Sequence, residues 1–256
     1  MVRTAIQLHT LRDVNEPLPD VLARVGETSF DGVEFYDGQF DELADPAALE
    51  ATQEALSDAG LEVPGAHVSI ERIESERDQL LETCRALDCP RVVVPSYEPE
   101  AFADRESVAA VADHLGDLVT AVDGLELLYH NHTFEFGDVN GGVAFEAFAD
   151  DAGDRFGFEP DVGLATHAGY DALDLLDVVG DRGPLVHLTD SDPTDPKALH
   201  ADPGEGVVDL AAAAEAAVGH GAEWLVCENG VSSDPHATLQ RGSDAFASLQ
   251  DRIDSR

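Results

Sequence analysis

Short apolar runs and longer amphipathic stretches alternate along the whole chain of 256 residues. The runs are residues 4–9 (TAIQLH), 32–36 (GVEFY), 62–67 (EVPGAH), 91–95 (RVVVP), 125–130 (LELLYH), 156–161 (FGFEPD), 185–188 (LVHL) and 223–228 (EWLVCE). Runs this short, bounded by Gly, Pro and Asp, suit buried strands. Between them apolar positions recur at helical spacing, and the start and stop signals agree with it. Asp45 precedes Pro46 and Gly60 closes that helix; Asp171 opens another that Gly180 stops. Ser75 opens a helix to about residue 88, and one from about 106 to 122 ends before Gly124. Further helices fall at about 19–28, behind Gly141-Gly142, and in the alanine-rich stretch up to Gly219. A closing helix carries Leu239, Phe246, Leu249 and Ile253 on one face.

Strand and helix thus alternate eight times, with no repeat, linker or low-complexity segment between them. Parallel strands joined by helices are the economical arrangement, and eight such units in this length predict an α/β fold of the (β/α)8 barrel type. A single domain over residues 1–256 is expected. An open doubly wound sheet is the alternative, weakened because no glycine fingerprint follows the first strand.

Composition narrows the function classes. Fifty-three acidic residues face fourteen basic ones, of which only Lys197 is a lysine, for a formal charge of -39. The acids are scattered and the apolar periodicity survives between them, so this is not a disordered acidic tail. Such a charge suits a cytoplasmic, halophilic protein, because salt screens the self-repulsion. It argues against a nucleic-acid partner, which needs a basic footprint. Cys84, Cys89 and Cys227 are an odd number without zinc spacing and read as reduced, packed thiols. No stretch is long enough to span a membrane, and the first residues lack an apolar signal core.

Chemistry is densest in residues 125–136 (LELLYHNHTFEF), where an apolar run ends in His130, Asn131, His132 and Glu135. Side chains alternate along a strand, so His130 and His132 share one face. Two imidazoles and a carboxylate there suit a metal or acid/base site; a pair of hydrogen-bonded structural histidines is the plainer alternative. In a barrel the C-terminal strand ends converge on one mouth. Those ends carry His9, Glu34, His67, the His130, His132 and Glu135 group, Asp161, His187 with Asp190, and Glu228. Glutamate, aspartate and histidine on successive strands form a mixed oxygen and nitrogen set suited to manganese, magnesium, cobalt or zinc.

The same residues carry a resemblance. IQLHTLRD, GVEFY, GLEVPGAH, YHNHTFEF, EPDVGLATHAG, LVHLTD, GEGVVD and VCENG cover nearly the whole chain. In combination they resemble the xylose-isomerase-like barrel superfamily of sugar-phosphate isomerases and epimerases, which includes inosose dehydratases, tagatose epimerases and endonuclease IV. The resemblance implies a divalent metal at the ends of strands five to eight, with Asp161, His187 and Glu228 as ligands. Glu135 is expected as the fourth ligand, with His132 or His130 as alternatives. Thr189 stands where relatives commonly have lysine.

The implied activity is a metal-dependent isomerase or epimerase. It would abstract an α-proton from a sugar, sugar phosphate or polyol-derived ketone through an enediolate. Glu228 and Glu135 are expected as base and acid. His9, Glu34, His67, His130, His132 and Asp190 are expected to hold substrate hydroxyls. An inosose-type dehydratase shares the first step; an endonuclease or a non-catalytic barrel fits less well. Phosphate recognition stays open at Arg12, Arg72, Lys197 and the turn at Gly204 and Gly206, as does association into a homo-oligomer.

Overall fold

Residues i and i+2 of a strand point the same way, about 6.8 Å apart along it, and here that spacing sets an apolar layer beneath a polar one. A computed structural model describes residues 2–197 and 199–255. Its barrel strands are β1 (Arg3–Gln7), β2 (Gly32–Tyr36), β3 (Ala66–His67), β4 (Arg91–Val94), β5 (Glu126–His130), β6 (Gly157–Glu159), β7 (Leu185–His187) and β8 (Trp224–Cys227). All pair in parallel, in the order β6-β5-β4-β3-β2-β1-β8-β7. A lone bridge between Asp161 and His187 draws β6 toward β7, leaving the barrel nearly closed. The single-domain (β/α)8 architecture expected from the sequence is the one observed.

Inside the barrel, Ala5, Val93, Leu128, Leu185, Trp224 and Val226 form an apolar plug separate from the main core. Two residues further along their strands stand Gln7, His130, His187 and Glu228. Outward positions such as Ile6, Val33, Phe35, Tyr129, Phe158 and Leu225 join the larger core between sheet and helices. An aromatic cluster of Phe102, Tyr129, Phe145, Phe148 and Phe158 backs β5 and β6 in edge-on and tilted contacts. It fixes the two strands whose ends carry most of the polar layer.

Several helix signals act as read. Asp45 accepts from the amides of Ala47 and Ala48, and Gly60 closes Pro46–Ala59 in the left-handed conformation at φ 68°. Asp171 caps Ala172–Val179 in the same manner. Other boundaries differ. The third strand is only two residues long, because Pro64 lacks an amide for the ladder. Ser69, not Ser75, caps the helix after it, which breaks at Glu76 before Arg77–Ala86. Asn140 and Gly141, both at positive φ, turn a small hairpin between Asp138–Val139 and Gly142–Val143 where only a lead-in to a helix was expected. A six-residue helix, Val162–His167, also went unread; Asp161 is its cap.

Candidate metal centre

His187 is the hinge of the polar layer. Its Nε2 lies 2.7 Å from Oε2 of Glu34, which also accepts from Nε2 of Gln7 at 2.9 Å. A carboxylate on Nε2 fixes the proton there and leaves Nδ1 as a lone pair. That nitrogen faces Oε2 of Glu228 at 3.3 Å and Oδ2 of Asp161 at 3.9 Å. Oδ1 of Asp161 is engaged by the Leu164 amide at 2.7 Å and the Thr189 hydroxyl at 2.5 Å, which directs Oδ2 inward. Gly163 permits this approach, since a β-carbon there would meet Oγ1 of Thr189 at 2.3 Å. Thr189, in the position where relatives commonly carry lysine, therefore braces Asp161.

Four buried groups, His67, His130, Glu159 and His187, bring ligand atoms within 4.8 Å of one another and are consistent with a divalent metal site. Asp161, His200 and Glu228 form a second such set. The two sets lie side by side and are each only partly paired internally. In the first, Nε2 of His67 is paired with Glu159 at 2.6 Å, and Glu159 also lies 3.3 Å from Nδ1 of His130. Buried atoms without a hydrogen-bond partner occur in both: Nδ1 of His130, Oε1 of Glu159 and Nδ1 of His187 in the first, Oδ2 of Asp161 and Nε2 of His200 in the second. Leaving such atoms bare costs about 1–3 kcal/mol each, and a shared cation would satisfy Asp161 and His187 together. The buried histidine–carboxylate cluster therefore fits the divalent ion that the family resemblance implies.

Electrostatics agree. Burial works against the charge on Glu228, but the histidines beside it, His187, His9 and His200, hold its pKa well below the carboxylate range. Burial likewise opposes a second proton on His187, yet Glu159, Glu228 and Glu34 carry its pKa well upward, so the carboxylates favour positive charge at Nδ1, as a proton or as a cation in its place. Burial, with His187 and His67 adding to it, holds His130 well below the usual imidazole value and hence neutral. Glu34, at about 2, and Glu159, at about 7, split in opposite directions: both are penalised by burial, but the two histidines overcome it for Glu34.

Of the residues expected at the mouth, His9, His67, His130, His132 and Glu228 line one cavity of about 360 Å³, together with Tyr36, Pro95, Leu164, Leu199, His200 and Val231. Three of the expected residues have internal partners instead. Glu135 is fully buried, and its oxygens accept from the Tyr129 hydroxyl at 2.8 Å and the His132 amide at 3.0 Å, so it belongs to neither ligand set. Asp190 points into its own loop, taking the amides of Ser191, Gly204, Gly206 and Val208. Glu34 lies beneath the cavity and holds His187 rather than a hydroxyl.

Two residues were missed. Glu159 sits two positions before Asp161 and so has the same strand parity, a signal present in the sequence. His200 arrives on a loop, and no local pattern marks it. A hollow of about 470 Å³ at the opposite barrel end is the larger of the two, but its cations Arg3 and Arg91 are tied to Glu62, Glu126 and Glu223. Chemistry, not size, selects the mouth.

Of the positions considered for phosphate, Lys197 is exposed on the loop after β7, and the others are engaged elsewhere. Arg12 donates to the carbonyls of His9 and Gly230, and Arg72 is held by Asp37, Asp41 and Glu76. The Gly204 and Gly206 amides serve Asp190, and a β-carbon on Gly206 would meet that carboxylate at 2.1 Å. The turn is thus filled by an internal anion.

Fold and site together define a (β/α)8 barrel with a buried histidine–carboxylate cluster at its C-terminal mouth. Residues 20–249 match the model of the xylose isomerase-like TIM barrel family, and the chain belongs to it. It is similar in structure to a sugar phosphate isomerase/epimerase from Parabacteroides distasonis, at TM-score 0.76 and 17% identity over 99% of this chain and 96% of that one. A 3-keto-D-glucoside 4-epimerase, YcjR, from E. coli superposes at TM-score 0.66 and 17% identity, over 98% and 100% of the two chains. The probable 3-DHS dehydratase AsbF from Bacillus anthracis gives 0.72 and 11%, over 96% and 99%. No curated protein sequence matches. At these identities the structures show a shared fold. Among the described residues no helix is long and apolar enough to cross a membrane.

Proposed function

We propose that this protein is a divalent-metal-dependent isomerase or epimerase of an uncharged sugar or polyol-derived ketone, with Asp161, His187 through Nδ1, and Glu228 as ligands. The observation that carries the reading is the pair of buried, unpartnered atoms on Asp161 and His187, 3.9 Å apart, with the cavity-lining Glu228 3.3 Å from His187. A divalent ion held there would polarise a carbonyl and the hydroxyl beside it and stabilise an enediolate. His130 or His132 supplies the fourth ligand from the strand-five end in place of Glu135; both line the cavity. Glu228, kept ionised and facing the cavity, is the base that takes the α-proton. His9, 3.2 Å from Oε1 of Glu228, orients that carboxylate and offers its rim to hydroxyls.

An unphosphorylated substrate is supported by Arg12, Arg72 and the Gly204 and Gly206 amides all serving internal partners. Tyr36, Pro95, Leu164, Leu199 and Val231 give the cavity apolar walls suited to the carbon faces of a sugar or polyol. Dehydration begins with the same proton transfer, and the structural likeness to a protein described as a probable dehydratase keeps it as the second reading.

Metal analysis of the purified protein, with solvent-deuterium exchange into a panel of ketoses, inososes and their phosphates, tests both parts. The expected result is about one divalent ion per chain and label at the carbon next to the carbonyl of an unphosphorylated member. Asp161→Ala is expected to remove ion and exchange together. Full metal content in that variant would sink the ligand assignment, and exchange only into phosphates would sink the substrate class.

A further inference from the structure

His200 faces the same carboxylates as His187 but is wired the opposite way. It lies on the loop between β7 and the helix Leu210–Gly219, and carboxylates fasten that loop on both sides of it. Asp190 gathers the amides of Ser191, Gly204, Gly206 and Val208, and its carbonyl accepts from the Ala201 amide at 2.8 Å. Buried Asp202 accepts from Asn229, Thr238 and Arg241. The residue between these anchors cannot wander, and its imidazole is 9% exposed.

Nδ1 of His200 accepts the Gly230 amide at 2.8 Å. A neutral imidazole has one lone pair and one N–H. With the lone pair spent on Gly230, the proton must sit on Nε2. That nitrogen is buried without a partner, 3.7 Å from Oδ2 of Asp161 and within ligand distance of Glu228. Metal-ligating histidines donate from their other nitrogen to an acceptor, as His187 does to Glu34. His200 receives there instead. Binding a cation through Nε2 would require it to lose the Gly230 bond or to carry lone pairs on both nitrogens.

We propose that His200, although close enough to ligate, is not a metal ligand but a catalytic hydrogen-bond donor, its Nε2–H locked by Gly230 and aimed at an oxygen of the bound substrate. The inference rests on the metal centre proposed above. A neutral N–H at this place stabilises negative charge developing on a substrate oxygen beside Asp161 and Glu228 without adding another lone pair to the metal shell. The two histidines divide the work: His187 presents a lone pair to the cation and His200 presents a hydrogen to the ligand.

Three measurements decide it, the first two without turnover. In protein labelled with ¹⁵N-histidine, the His200 signal, assigned by its loss in His200→Gln, should show a protonated Nε2 and a bare Nδ1. Adding Zn²⁺ should leave that pattern in place while shifting Nδ1 of His187. In Co²⁺ titrations followed by ligand-field absorption, His200→Ala should keep the wild-type spectrum and an affinity within about threefold, whereas Asp161→Ala should weaken binding about 100-fold or more, beyond the loss typical of outer partners. Loss of the Nε2 proton on adding Zn²⁺, or a Co²⁺ affinity that falls in His200→Ala as it does in Asp161→Ala, would overturn the inference and leave the metal centre standing. No response of any histidine to Zn²⁺ would overturn the metal centre itself. Deuterium exchange should drop at least about tenfold in His200→Ala and recover in part in His200→Gln, whose amide N–H reaches the same place; unchanged exchange in His200→Ala would also overturn the donor role.

Discussion

Glu135 carries a titration that should be visible in stability. Burial pushes its pKa up to about 7 from an ordinary 4.5, although the His132 amide and the Tyr129 hydroxyl pull it back part of the way. The folded state therefore holds a proton that the unfolded chain releases between those values. The contribution to stability is complete below about 4.5 and is lost as pH rises through about 7. At about 1.4 kcal/mol per pH unit, the ceiling over that window is about 3 kcal/mol. Glu135→Gln keeps the shape and removes the proton release, so melting curves from pH 4 to about 8 should slope down less in the variant than in the wild type. Because Glu159 titrates in the same range, the difference between the two curves is the quantity to read. Parallel curves would show that Glu135 is ionised throughout. From its place in the sequence Glu135 reads as a ligand at a strand end. Only the turn over Phe134–Phe136 reveals that the chain folds the carboxylate back onto its own backbone.

At the scale of elements, the loop after β7 shows what one carboxylate can organise. Asp190 satisfies four backbone amides, and hydrogen bonds to a charged group contribute about 1.5–3 kcal/mol each before their non-additivity is allowed for. Asp190→Ala should therefore lower stability by about 3 kcal/mol and open residues 191–209 to protease cutting well below the melting temperature. Asp190→Asn, which retains one acceptor oxygen, should fall between. An uncut loop in Asp190→Ala would mean that Asp202 and its partners hold it alone. The strands were legible because alternation and Gly/Pro punctuation are local. The third strand and the helix Val162–His167 were not: one is cut short by a proline within an apolar run, and the other is nucleated by an aspartate whose cap is made in three dimensions. The same alternation places Glu159 inward with His130, and reading strand six by parity rather than by its last residue finds it.

For the whole molecule, charge outweighs any single ion pair. Fourteen basic residues cannot neutralise fifty-three acids, so most carboxylates repel one another whatever pairs form. Pairs such as Arg24 with Glu16, or Arg3 with Glu62, lie at the surface, where solvent screens them and salt weakens them further. At a net charge of -39 the screening of repulsion should dominate. The melting temperature should climb steadily as KCl is raised from dilute buffer toward molar concentration. A flat or falling curve would show that local pairing, not net repulsion, governs stability.

Local pattern by itself determined the eight alternating units, hence the barrel, and the convergence of Asp161, His187 and Glu228 on its mouth. Both follow from the fixed two-residue period of a strand and the closure of parallel strands into a ring. Tertiary structure alone decided which atom of each side chain faces inward. Glu34 sets the free nitrogen of His187, Thr189 turns Asp161, Gly230 claims one side of His200, and Tyr129 ties Glu135 away from the centre. Such choices depend on partners between 6 and 153 residues apart in the chain, and a hydrogen bond leaves no mark on the spacing of the residues it joins.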